Sequence, residues 1–86
     1  MIDVKLANGF ACQIADEALD DYELFEDLVT IEEEPNRLPG VIKRLIGKES
    51  YAELKEANRV DGRVSTAAMS DSLRDIIQAV RESKKN

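Results

Sequence analysis

Eighty-six residues, 43% of them apolar and 35% charged, suffice for one small domain with a modest core and leave no room for a deep buried pocket. The net charge of −6 disfavours direct nucleic-acid binding, which needs a basic patch against phosphate. Apolar runs are only a few residues long, which excludes a membrane-spanning helix; the opening MIDVKLANGF lacks the long apolar stretch of a signal peptide, and a lone Cys12 cannot form an internal disulfide, so a cytoplasmic setting is expected.

The first segment, residues 2–14, alternates around Asn8-Gly9 and reads as a β-hairpin. A two-residue turn would place Leu6 and Phe10 on opposite faces. A three-residue loop, Ala7-Asn8-Gly9 with Gly9 left-handed, instead pairs Leu6 with Phe10, Val4 with Cys12 and Ile2 with Ile14. All six apolar side chains then share one face. A lone hairpin is marginal in water, so this face must lie on helices.

Residues 20–34, DDYELFEDLVTIEEE, form an amphipathic helix candidate. At about 100° per residue, Leu24, Phe25, Leu28, Val29 and Ile31 share half of the wheel, with Tyr22 at its margin. Asp20, Glu23, Glu26, Asp27, Glu33 and Glu34 fill the other half with Thr30, and no Lys or Arg interrupts the run. Asp20 is the expected N-cap, with Glu23 completing a capping box. Glu32 to Glu34 crowd negative charge at the helix exit, where the dipole disfavours it, and Pro35 bars continuation. Both Phe10 and Phe25 are expected in the core; Tyr22 and Tyr51 stand at helix margins.

A second helix is predicted over 37–46, where Leu38, Val41, Ile42, Leu45 and Ile46 follow helical spacing. Pro39 suits its first turn and Gly47 its stop, with Lys43 and Arg44 favourably placed in the last turn. A weaker helix over 48–59 has a thin apolar edge of Tyr51, Ala52, Leu54 and Ala57; Asp61-Gly62 marks a turn. The last helix, 66–83, takes Ser65 as N-cap, with Val64 stapling against Met69. It carries a stripe of Met69, Leu73, Ile76, Ile77 and Val80, Lys84 and Lys85 complement its end, and Asn86 is expected to fray. The expected architecture is mainly α, a small α+β fold in one domain over 1–86: an N-terminal β-hairpin packed on a bundle of about four short helices.

Charge is split along the chain. Residues 1–34 hold eleven acids and one base, a balance of −10, whereas residues 35–86 hold seven acids and eleven bases, a balance of +4. Two readings follow: the halves attract each other across the fold, or an acidic face is offered to a basic partner. Catalysis has little to work with. The chain has no His, and Cys12 has no His partner for nucleophilic chemistry and is expected to pack as a small apolar residue. The glycines form no phosphate loop, and the acidic run lacks Ca²⁺-loop spacing. Helical carboxylates such as Glu23, Glu26 and Asp27 lack the His or facing motif of a carboxylate metal pair. No enzyme, metal or cofactor is expected.

Taken in order, the NGF hairpin, the acidic LDDYELFEDL, then LPGVIKRLIG, KESYAELKEANRVDGRV and the closing AMSDSLRDIIQAV resemble the small tail assembly chaperones of long-tailed phages and prophages of Gram-positive bacteria. The similarity covers roughly residues 8–80. The resemblance implies a non-catalytic protein of the host bacterial cytoplasm. It would keep the aggregation-prone tape measure protein soluble and help tail tube subunits assemble around it. It also implies a longer frameshifted product, for which Lys84-Lys85-Asn86 can be encoded by an A-rich slippery run. The expected partner-binding residues are the acidic Asp20, Glu23, Glu26 and Asp27, with Leu24, Leu45 and Ile77 lining an apolar groove for amphipathic segments. The alternative is an acidic inhibitor that mimics DNA, which needs carboxylates spread along an extended surface. A third reading is a small scaffold subunit, which predicts a stable homo-oligomer with a buried apolar patch.

Overall fold

The computed structural model describes residues 1–31 and 33–83. Its first element is the antiparallel hairpin of β1 (Ile2–Lys5) and β2 (Ala11–Ile14). Ile2 faces Ile14 and Val4 faces Cys12, as the three-residue loop requires. Leu6 N–H donates to Phe10 O at 2.9 Å, Gly9 N–H returns to Leu6 O at 3.1 Å, and Gly9 sits at φ 94°. Ile2, Val4, Phe10 and Ile14 are buried, and Leu6 and Cys12 pack against the same core.

Helix α1 runs over Tyr22–Thr30, shorter at both ends than the predicted 20–34. A 3₁₀ turn over Ala18–Asp20 uses up the residues ahead of it, so Asp20 is not the cap. Asp21, with extended backbone, takes that role: its Oδ1 accepts from the N–H groups of Glu23 at 3.0 Å and Leu24 at 3.2 Å. At the other end, Thr30 O accepts from the N–H groups of both Glu33 and Glu34, which turns the chain toward Pro35. Glu32, part of the predicted acidic exit, lies outside the described residues, as do Lys84, Lys85 and Asn86.

A 3₁₀ turn over Pro35–Arg37 leads directly into α2 (Leu38–Ile46), one residue later than predicted. All five of its periodic apolar residues are buried. Gly47 alone joins α2 to α3 (Lys48–Ala57). Its N–H closes the last turn of α2 on Lys43 O at 2.8 Å, while its carbonyl opens α3 by accepting from Tyr51 at 2.9 Å. A backbone at φ 89°, ψ 162° serves both helices, and glycine is the residue that reaches it without strain.

Helix α3 ends at Ala57, not Arg59, because Arg59 and Val60 are recruited into a second, minimal hairpin. There β3 (Arg59–Val60) pairs with β4 (Arg63–Val64). Asp61 and Gly62 form its two-residue turn at φ 53° and 78°, the type I′ signature of an Asp-Gly pair. Helix α4 spans Thr66–Ser83 as predicted, and Ser65 Oγ accepts from Ala68 N–H at 3.3 Å.

The architecture is thus mainly α with a small β component, four helices against an N-terminal hairpin. Its centre holds Ile14, Ile42, Leu54, Ile76, Val4, Val41 and Val80 with almost no solvent contact. Burying each such aliphatic side chain favours folding by about 1.5–3 kcal/mol. Helix α4 packs on β1, α2 on α1, α3 and β2. Helix α1 therefore sits at the margin of the core and contributes only Leu24 to it as a fully buried residue.

Candidate functional site

Because α1 leans on the body along one edge, its apolar half-wheel is wider than the surface that covers it. Leu24 is 2% exposed, and Leu28 and Ile31 are half-buried. Beyond Leu28 around the wheel come Phe25 at 55% exposure, Val29 at 60% and Tyr22 at 70%. These three form a ridge of i, i+3, i+7 spacing, and the Tyr22 and Phe25 rings lie 6.2 Å apart at a tilt of 32°. Phe25, expected in the core, stands outside it. No element of the described chain covers its side of the helix.

Beside the ridge, Leu28 of α1 lines an open cleft of about 560 Å³. Leu28, Ile31, Pro35 and Leu38 make one wall, and α4 makes the other with Leu73 and Ile77 at the floor and Arg74 and Arg81 along the rim. Arg74 and Arg81 are seven residues apart, so they stand on one face of α4, two turns from each other. Arg74 is held loosely by Asp71 at 3.2 Å, and Arg81 makes no ion pair among the described residues.

Across the ridge the charge reverses. Glu26 and Asp20 are exposed and make no ion pair among the described residues. Asp27 meets Arg37 at 3.0 Å, and Arg37 also pairs with Glu34. Arg44 reaches Asp21 at 3.1 Å and Glu23 at 3.3 Å. The capping N–H of Leu24, then the Arg44 guanidinium, hold the Asp21 carboxyl below the usual aspartate range. Arg37 and Arg44 are raised by the carboxylates that they bind. The acid-rich and base-rich halves do attract each other across the fold, and part of the acidic face is left over.

The expected site residues therefore separate. Asp20, Glu23 and Glu26 are exposed on or beside α1, while Asp27 is partly occupied by Arg37. The predicted groove of Leu24, Leu45 and Ile77 is corrected: Leu24 and Leu45 are core residues at 2% and 6% exposure, and only Ile77 lines the cleft. The other two belong to the hydrophobic core. Sequence reasoning missed Phe25 and Val29 as surface residues. It also missed Arg74 and Arg81, whose seven-residue spacing beside Ile77 was the available signal.

Cys12 is half-buried; burial first, then Glu53, pushes its thiol up, which leaves less of the reactive thiolate. The Tyr51 ring has the Lys43 and Lys55 ammonium groups over it, 5.1 and 5.0 Å from the ring centre. That stack ties α2 to α3 through cation–π attraction. Among the described residues, no helix is long and apolar enough to cross a membrane, and no cluster of three or more His, Cys, Asp or Glu side chains could hold a metal ion. Compared with known protein families, curated proteins and solved structures, the chain matches none.

Proposed function

We propose that this chain is a non-catalytic protein-binding module that acts as a tail assembly chaperone in the host bacterial cytoplasm. On this reading it holds the tape measure protein soluble until tail tube subunits assemble around it. The observation that carries the protein-binding part is the uncovered Tyr22–Phe25–Val29 ridge, with the exposed Glu26 beside it and Asp20 in the turn ahead of α1, neither in an ion pair among the described residues. A small domain that buries fifteen hydrophobic residues among those described gains nothing in stability from exposing two aromatics together. Such a face suits transient contact with exposed apolar segments of a client, and the carboxylates keep the free protein dispersed. The viral tail and the client's identity come from the sequence resemblance.

The DNA-mimic alternative draws less support. Asp21, Glu23 and Asp27 are engaged by Arg37 and Arg44, so the free carboxylates do not extend along a phosphate-like track.

The test is co-expression with the long coiled-coil-rich protein encoded just downstream. The client should become soluble and co-purify with the chain, and Phe25→Ser should reduce the retained client severalfold while the helical circular dichroism stays unchanged. A client that stays insoluble in the presence of the wild-type chain rules the chaperone reading out.

A further inference from the structure

The ridge and the cleft together specify an occupant. Tyr22, Phe25 and Val29 stand exposed on α1, and Leu28, one turn on from Phe25, lines the cleft whose α4 wall holds Leu73 and Ile77, so ridge and cleft lie side by side as an apolar band. One border of it is acidic, at Glu26 with Glu23 and Asp20 beyond. The other is basic, at Arg74 and Arg81 on the rim of α4. We propose that this band docks a single amphipathic α-helix of a partner protein, with Lys or Arg along one edge of its apolar face and Asp or Glu along the other. The proposal rests on the protein-binding reading and adds to it the form and charge pattern of the bound segment.

Three features select that occupant. An α-helix, about 10–12 Å across with its side chains, can lay its apolar stripe in an open cleft flanked by a ridge. Opposite charges on the two borders match a helix with segregated edges and reject one whose edges both carry the same sign. A second copy of this chain fits poorly. Among the described residues its exposed aromatic ridge is on α1, whose edge carries Glu26 and Glu23 and no Lys or Arg, so that helix lacks the two oppositely charged edges the borders call for.

The test uses the full chain and two synthetic helical peptides of 18 residues with the same composition and zero net charge. Both carry a leucine face. In one, Lys lies along one edge and Glu along the other; in the second, Lys and Glu are mixed on both edges. Neutral probes remove the attraction that any cation feels for a protein of charge −6. Isotope-edited NMR titration should show the segregated peptide binding about tenfold more tightly or better. Shifted amides should be confined to α1, the 3₁₀ turn after it and the cleft face of α4. Phe25→Ser and, independently, Val29→Ser should each weaken binding about tenfold, with Arg81→Glu acting in the same direction. Equal affinity for the two peptides, absence of binding, or shifts located elsewhere overturns the proposal. So does sedimentation showing a concentration-dependent dimer that Phe25→Ser dissolves, because the occupant is then a second copy. Failure here with client solubilisation intact removes the docking surface and leaves the chaperone reading. Peptide binding without client solubilisation does the reverse.

Discussion

Asn58 shows how much one polar side chain can organise in so small a fold. It ends α3, and its Nδ2 donates to Ser72 Oγ at 2.9 Å and leans on Met69 Sδ at 3.4 Å, both on α4. Its Oδ1 accepts from Asn8 Nδ2 at 2.8 Å, in the tip of the first hairpin. Asn8 in turn uses its own Oδ1 to accept from Phe10 N–H at 3.0 Å, closing the turn. Three elements far apart in sequence are therefore pinned by one amide. Ser72 is buried, so losing Asn58 removes the side-chain hydrogen bond that its hydroxyl accepts among the described residues. Asn58→Ala should lower unfolding free energy by about 1–3 kcal/mol, measured by urea denaturation. Asn8→Ala, which breaks only the exposed link, should cost less. Equal costs for the two would mean that the buried Ser72 contact carries no weight. None of this was legible in the sequence, because the chain gives no sign of which Asn meets which partner until the helices are packed.

At the scale of elements, the hairpin was readable to its register, because six apolar residues on a two-residue period admit one loop length that gathers them on one face. Helix α4 was equally readable, since its stripe is narrow and its cap is a serine at the right place. Helix α1 was not, and its width explains why. From Leu24 round to Tyr22, its apolar arc covers about 160° at 100° per residue, more than a single neighbouring helix can bury. Periodicity identifies such an arc without saying which part of it faces the core. The minimal second hairpin escaped for the opposite reason, because two-residue strands carry no period to detect. The start of α1 makes a measurable claim. The folded Asp21 carboxyl titrates below its ordinary range, so its contribution to stability is complete above the ordinary aspartate pKa and is lost as pH falls through the lowered folded value. Asp21→Asn keeps a capping oxygen and removes the charge that Arg44 meets. In urea midpoints followed from pH 7 down to about pH 2.5, this variant should lose less stability on acidification than the wild type. Parallel curves would show that the Arg44 contact does not couple to folding.

For the whole molecule, the split of −10 and +4 along the chain separates two electrostatic jobs. Arg37 and Arg44 spend part of the acidic run inside the fold, on exposed pairs at Asp27, Asp21 and Glu23. Pairs of that kind contribute weakly and are easily screened. What holds the domain together is the apolar core, which salt does not weaken. Of the remaining charges, Glu26 on one border and Arg81 on the other are exposed and make no ion pair among the described residues, while Arg74, beside Arg81, is shared with Asp71. Folding and binding should therefore respond differently to ionic strength. Raising NaCl from about 20 mM to about 0.5 M shortens the screening length from about 20 Å to a few ångströms. The urea midpoint should stay nearly constant over that range, while affinity for the edge-segregated helix falls about tenfold. A midpoint that drops together with the affinity would place the exposed pairs among the forces that hold the fold. An affinity unchanged by salt would mean that the apolar ridge binds without help from its charged borders.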